Sequence, residues 1–105
     1  MQAAADEAGD LLKALANRHR LLILCQLTEG ERSVGELAAF LGIRDSTVSQ
    51  HLALLRRDGI IGGRRDGQTI WYSIRSAPAR ALVETLYRVY CAPTLRCRPG
   101  QRSKP

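Results

Sequence analysis

Three cysteines and one run of short polar side chains carry most of the chemistry that this 105-residue chain offers. Cys25 lies inside LLILCQL, where a thiol behaves as a small apolar group and needs no reactivity to be there. Cys91 closes an amphipathic stretch near Arg88 and just before Ala92-Pro93, a partly exposed boundary at which a reagent can reach sulfur. Cys97 follows across the short segment APTLR, so the three sulfurs could together hold a soft ion, at the entropic cost of ordering a Pro- and Arg-rich tail. There is no C-x-x-C motif, no phosphate-binding loop and no cluster of histidine or carboxylate beside a cysteine in sequence. Neither enzyme chemistry nor a cofactor is expected.

The polar run belongs to DSTVSQHLALLRR. Val48, Leu52 and Leu55 recur at helical spacing and define one apolar face. Ser46, Thr47, Ser49 and Gln50 then occupy the first turn and a half of the outer face. Short hydrogen-bonding side chains there reach base edges when such a helix lies in a major groove, although a merely solvated face would be equally polar. Arg56 and Arg57 favour the helix C-terminus and can meet phosphates. His51, in the same segment, takes a structural or DNA-facing role, and His19 sits in a basic RHR run.

Other elements must hold this helix in place. Leu11, Leu12, Leu15 and Ala16 mark a short amphipathic helix, and RLLILCQL a second one so apolar that most of its faces must be covered. In SVGELAAFLG, Ser33 and Glu36 form a capping box and Gly42 supplies a left-handed stop. After the link Gly42-Ile43-Arg44, Asp45 or Ser46 caps the polar helix, which runs to Arg57 and closes at Gly59. Two short helices so joined make a helix-turn-helix. A hairpin follows: a strand from Ile60 to Arg65, an Asp66-Gly67 turn, and a strand from Gln68 to Ile74 with Ile70, Tyr72 and Ile74 inward. Packed beside the helix pair it becomes a wing whose tip residues Arg64, Arg65 and Gln68 are placed to touch a DNA backbone or minor groove, although a plain surface hairpin with a basic tip has the same sequence. The last helix, PARALVETLYRVYC, carries Leu82, Val83, Leu86, Val89 and Tyr90, a stripe wide enough for a dimer interface or a buried core helix. The fold class is mainly α with a small β-hairpin.

At this length and 45% hydrophobic content the chain makes one domain. It is expected to divide into a flexible N-terminus at 1–10, a DNA-binding and dimerisation domain at 11–92, and a basic flexible tail at 93–105. No apolar run reaches membrane-spanning length and MQAAADEAGD is no signal peptide, so a cytoplasmic location is expected. The net charge of +6 resides mostly in the tail (Arg96, Arg98, Arg102, Lys104), and residues 1–94 hold 12 basic against 10 acidic groups. DNA binding must then rest on where charge is placed, and a general nucleoid-binding protein remains an alternative.

The segments LANRHRLLIL, SVGELAAFLGIRDSTVSQHLALLRRDGII and RRDGQTIWYSI resemble the ArsR-type winged helix-turn-helix repressors of bacteria over about Leu11 to Cys91, most specifically at Ser46 to Leu52. The resemblance implies a homodimer joined through its first and last helices, binding an inverted-repeat operator in double-stranded DNA and releasing it on meeting an inducer. Many members of the family sense metals. Here SVGEL lacks the cysteines of the thiolate sensors and the last helix has no histidine and only Glu84, so no metal site is expected. One cysteine on the second helix and one ending the last helix is similar to the persulfide- and sulfide-responsive SqrR/BigR type. That pattern implies that reactive sulfur species link Cys25 and Cys91 and that the bridged dimer leaves DNA, a regulatory use of thiols in a reducing compartment. The alternative inducer is arsenite or another soft metalloid, held by Cys91, Cys97 and Cys25. Gly62 and Gly63 depart from the β-prone residues expected before the wing.

Overall fold

Residues 2–90 are described by a computed structural model, and Cys91, Cys97 and the tail 93–105 lie outside them. The order is α1 (Gln2–Leu15), α2 (Arg18–Leu27), α3 (Val34–Leu41), α4 (Asp45–Arg57), β1 (Ile61–Asp66), β2 (Thr69–Ile74) and α5 (Ala77–Tyr90). The centre is α2, whose Ile23, Leu24 and Leu27 are buried and whose neighbours are α1, α3, α4, α5 and β2. Leu37, Val48, Leu52, Leu55, Ile60, Ile61, Tyr72, Ile74, Ala79 and Val83 complete the core around it.

The first helix starts at Gln2, so the segment expected to be flexible is helical up to where the apolar periodicity begins. The reason is local, since three successive alanines after Gln2 favour helix without any burial, and residues 2–10 are all exposed. The corner into α2 is tied by Asn17, whose side chain accepts the Arg20 N–H at 3.1 Å, and by the Arg20 Nε, which donates to the Ala14 carbonyl at 2.8 Å.

The helix-turn-helix follows the sequence reading closely. Ser33 and Glu36 form both bonds of the capping box, and Gly42 ends α3 at φ +71°. The start of α4 differs, because Arg44 occupies the N-cap with no side-chain bond and Asp45 is already helical. Asp45 there acts through its charge on the first turn rather than as a cap.

The hairpin is one residue out of the expected phase. Asp66 pairs with Thr69, so the loop is Gly67-Gln68, and Gly67 takes φ +67°, the left-handed value that a tight hairpin needs at its first position. The ladder runs unbroken through Gly62 and Gly63. Both glycines are crowded: a Cβ on Gly62 would come within 2.8 Å of the guanidinium carbon of the flexible Arg75 side chain, and one on Gly63 within 2.8 Å of Cγ2 of the β-branched Ile70. Arg32 adds a third, single-residue strand by exchanging two backbone hydrogen bonds with Tyr72, at 3.2 and 2.9 Å. Its Nε also satisfies the buried Gln26 side chain at 3.0 Å. On α5, Ala79 and Val83 face the core, while Val89 and Tyr90 are exposed, as is Leu12 of α1. No helix among the described residues is long and apolar enough to cross a membrane.

Candidate nucleic-acid interface

Helix α4 buries Val48, Leu52 and Leu55, and at 3.6 residues per turn the strip directly opposite is Ser46, Gln50, Ala53 and Arg57. All four are exposed. Ser49 and Arg56 form one exposed flank; Thr47 and His51, both half-buried, form the other. Sequence reading missed Ala53, although the same spacing that selects Gln50 selects it. It also grouped Arg56 with Arg57, which stand 100° apart on the helix. The Arg57 Nε lies 3.5 Å from the Asp58 carboxylate, an exposed pair of little energetic weight.

His51 does not share the outer strip. Its ring lies edge-on to that of His19 on α2, with centroids 5.7 Å apart, and its Nδ1 is enclosed without a hydrogen-bond partner among the described residues. Burial, then the nearby Arg20 and His19, hold its pKa below the usual histidine value. Of the structural and DNA-facing roles expected of His51, this placement on the flank of α4 toward α2 favours the structural one.

At the wing, Arg64 and Arg65 are not equivalent. Arg64 donates to the Glu31 carboxylate twice, from Nη2 at 2.8 Å and from Nε at 3.1 Å, and this holds Glu31 below the usual carboxylate range. Arg65 alternates to the opposite face of the strand and is exposed, and Gln68 is exposed in the loop. Cys25 is half-buried and packs at the edge of the core. Its helix packs against α5, whose last described residue, Tyr90, immediately precedes Cys91. Among the described residues no three His, Cys, Asp or Glu side chains are gathered as metal ligands.

Residues 17–62 match the family described as bacterial regulatory protein, arsR family. The chain is 47% identical over 91 residues to the transcriptional activator HlyU of Vibrio cholerae, covering 87% of this chain and 84% of that protein. The chain belongs to the ArsR family. Its fold is similar to that of reduced HlyU from V. cholerae, with a TM-score of 0.84 over 87% of this chain and 96% of the other. The transcriptional repressor BigR from Xylella fastidiosa is similar at TM-score 0.79 and 44% identity, over 90% and 93% of the two chains. A homodimeric winged helix-turn-helix DNA-binding domain, Mb0332 from Mycobacterium bovis, is similar at TM-score 0.75 and 34% identity, over 84% and 82%. As an ArsR regulator with this winged helix-turn-helix, the protein acts in transcription through DNA.

Proposed function

We propose that the protein is a homodimeric, cytoplasmic repressor that holds an inverted-repeat operator and releases it when reactive sulfur species join Cys25 to Cys91. Dimerisation uses α1 and α5, supported by the exposed Leu12, Val89 and Tyr90 on these two helices. Ser46, Ser49 and Gln50, with Thr47 at the flank, read base edges in the major groove. Arg56, Arg57, Arg65 and Gln68 position the protein on the sugar-phosphate backbone, and Arg64 joins them when it leaves Glu31. The observation that supports the switch is the half-buried Cys25 on the helix that packs against α5, whose last described residue Cys91 follows in sequence.

The chemistry balances with a low-molecular-weight persulfide as oxidant. One thiolate takes the outer sulfur of the persulfide and releases the parent thiol. The second cysteine then attacks the protein persulfide, forming the disulfide and expelling hydrogen sulfide; a further transfer before closure leaves an extra sulfur in the bridge. A direct disulfide requires Cα atoms within about 7 Å, so inserted sulfur lets a wider gap close without backbone movement. Linking α2 to the end of the dimerisation helix at one spacing needs a coupling of only about 1–3 kcal/mol to change operator affinity from several-fold to about a hundred-fold.

The test is intact-protein and peptide mass spectrometry of the reduced chain after an organic persulfide, disulfide stress and arsenite in turn. The proposal expects a Cys25–Cys91 peptide with zero, one or more inserted sulfurs after persulfide. Arsenic bound across Cys91 and Cys97, without a sulfur bridge, would replace it with the metalloid reading.

A further inference from the structure

The His51 ring turns away from the outer strip of α4 and meets His19 of α2 with ring planes at 67°. Beside them, Arg20 reaches back to the end of α1, donating from Nε to Ala14 at 2.8 Å and from Nη2 to Lys13 at 3.5 Å. Two imidazoles and one anchored guanidinium thus make a joint between α1, α2 and α4. We infer that His51 is a positioning residue: its neutral ring seats the recognition helix on α2 at the angle from which Ser46, Ser49 and Gln50 meet the duplex, and protonation unseats it. The inference rests on the DNA-reading role of α4 proposed above and deepens it.

The physical reason lies in what surrounds the ring. The enclosed Nδ1 has no acceptor within reach among the described residues, so a proton there would create a buried donor without a partner. The charged and titratable groups acting on the ring are Arg20 and His19, both on α2, and both oppose a second positive charge. A pKa lowered in the folded state means that the seated ring contributes in full above the ordinary histidine value of 6.5. That contribution is lost as the pH falls from there through the lowered value. Arg20 also connects the joint to α1, so a change at the end of that helix is felt where α4 is seated.

The experiment follows binding to a duplex selected from random sequence, across about pH 7.5 to about pH 5.5, where histidine changes charge. The unmodified chain should lose several-fold more affinity on acidification than His51→Phe, which keeps a ring edge against His19 and cannot titrate. At neutral pH, His51→Ala should weaken all duplexes alike. Equal pH profiles for the parent and His51→Phe would overturn the inference, as would a change in preference at one base pair in His51→Ala. Nitrogen-detected NMR of the His51 ring in the DNA-free parent gives a readout independent of variant folding and of any operator. An ordinary or raised ring pKa there overturns the inference even if DNA is bound. A lowered ring pKa in a chain that binds no duplex at any pH overturns only the reading of α4.

Discussion

Arg64 on the wing and Glu31, 33 residues earlier in the turn after α2, form a two-point ion pair with contacts of 2.8 and 3.1 Å. Glu31 adjoins Arg32, the residue that adds a third strand to the hairpin, so the pair and the backbone bridge hold the same part of the wing. On the proposed reading of the wing, the pair also occupies a cation that DNA would otherwise attract.

Replacing Glu31 by Gln should therefore tighten binding to operator and random duplex alike and steepen the salt dependence by about one phosphate contact. Stability should change little at neutral pH, because the pair is exposed at the surface. Since Arg64 lowers the Glu31 pKa, the contribution of the pair is complete above the ordinary carboxylate value and fades as the pH falls through the lowered one. Fluorescence anisotropy at several salt concentrations checks this. Weaker binding by Glu31→Gln would instead make the pair a brace that the wing requires.

Gln50 and Arg65 should separate reading from holding. Gln50→Ala is expected to cost about 1–3 kcal/mol on the preferred half-site and to flatten discrimination among its base changes. Arg65→Ala should weaken all sequences evenly and reduce the salt slope by about one. Competition binding against a panel of single base-pair variants measures both. Uniform loss in each case would make Gln50 a positioning residue.

The two wing glycines should differ in what they tolerate. An alanine at 62 meets the end of the flexible Arg75 side chain, which can swing away, whereas one at 63 meets Cγ2 of the β-branched Ile70, which has few rotamers. Gly63→Ala is thus expected to cost about 1–3 kcal/mol by overpacking, and Gly62→Ala less. Urea denaturation of the two variants tests the order; equal cost would show that the ladder shifts to make room.

Ser33, Glu36 and Gly42 made the helix-turn-helix legible in sequence, because caps and stops act within a few residues of the groups they satisfy. The apolar spacing of Val48, Leu52 and Leu55 likewise placed the outer face of α4 correctly. What sequence did not reveal is non-local or single-residue: the Arg32–Tyr72 bridge, the Glu31–Arg64 pair and the His19–His51 contact join distant segments without any periodic signal. The N-terminal helix was missed for another reason, as its exposed first turns follow backbone propensity without an apolar pattern. Gly62 and Gly63 depart from the β-prone residues expected there because the side chains that crowd them, Arg75 and Ile70, lie on the other strand or just beyond it.

The most direct measurement of the proposed switch is operator binding by the reduced parent and by Cys25→Ser, Cys91→Ser and Cys97→Ser, each before and after treatment with an organic persulfide. All four should bind tightly when reduced. The parent and Cys97→Ser should release the operator on treatment, and Cys25→Ser and Cys91→Ser should stay bound. Release by either of the last two would contradict a Cys25–Cys91 bridge, and loss of the response in Cys97→Ser, with arsenite releasing the parent, would move the sensing chemistry to a three-sulfur metalloid site.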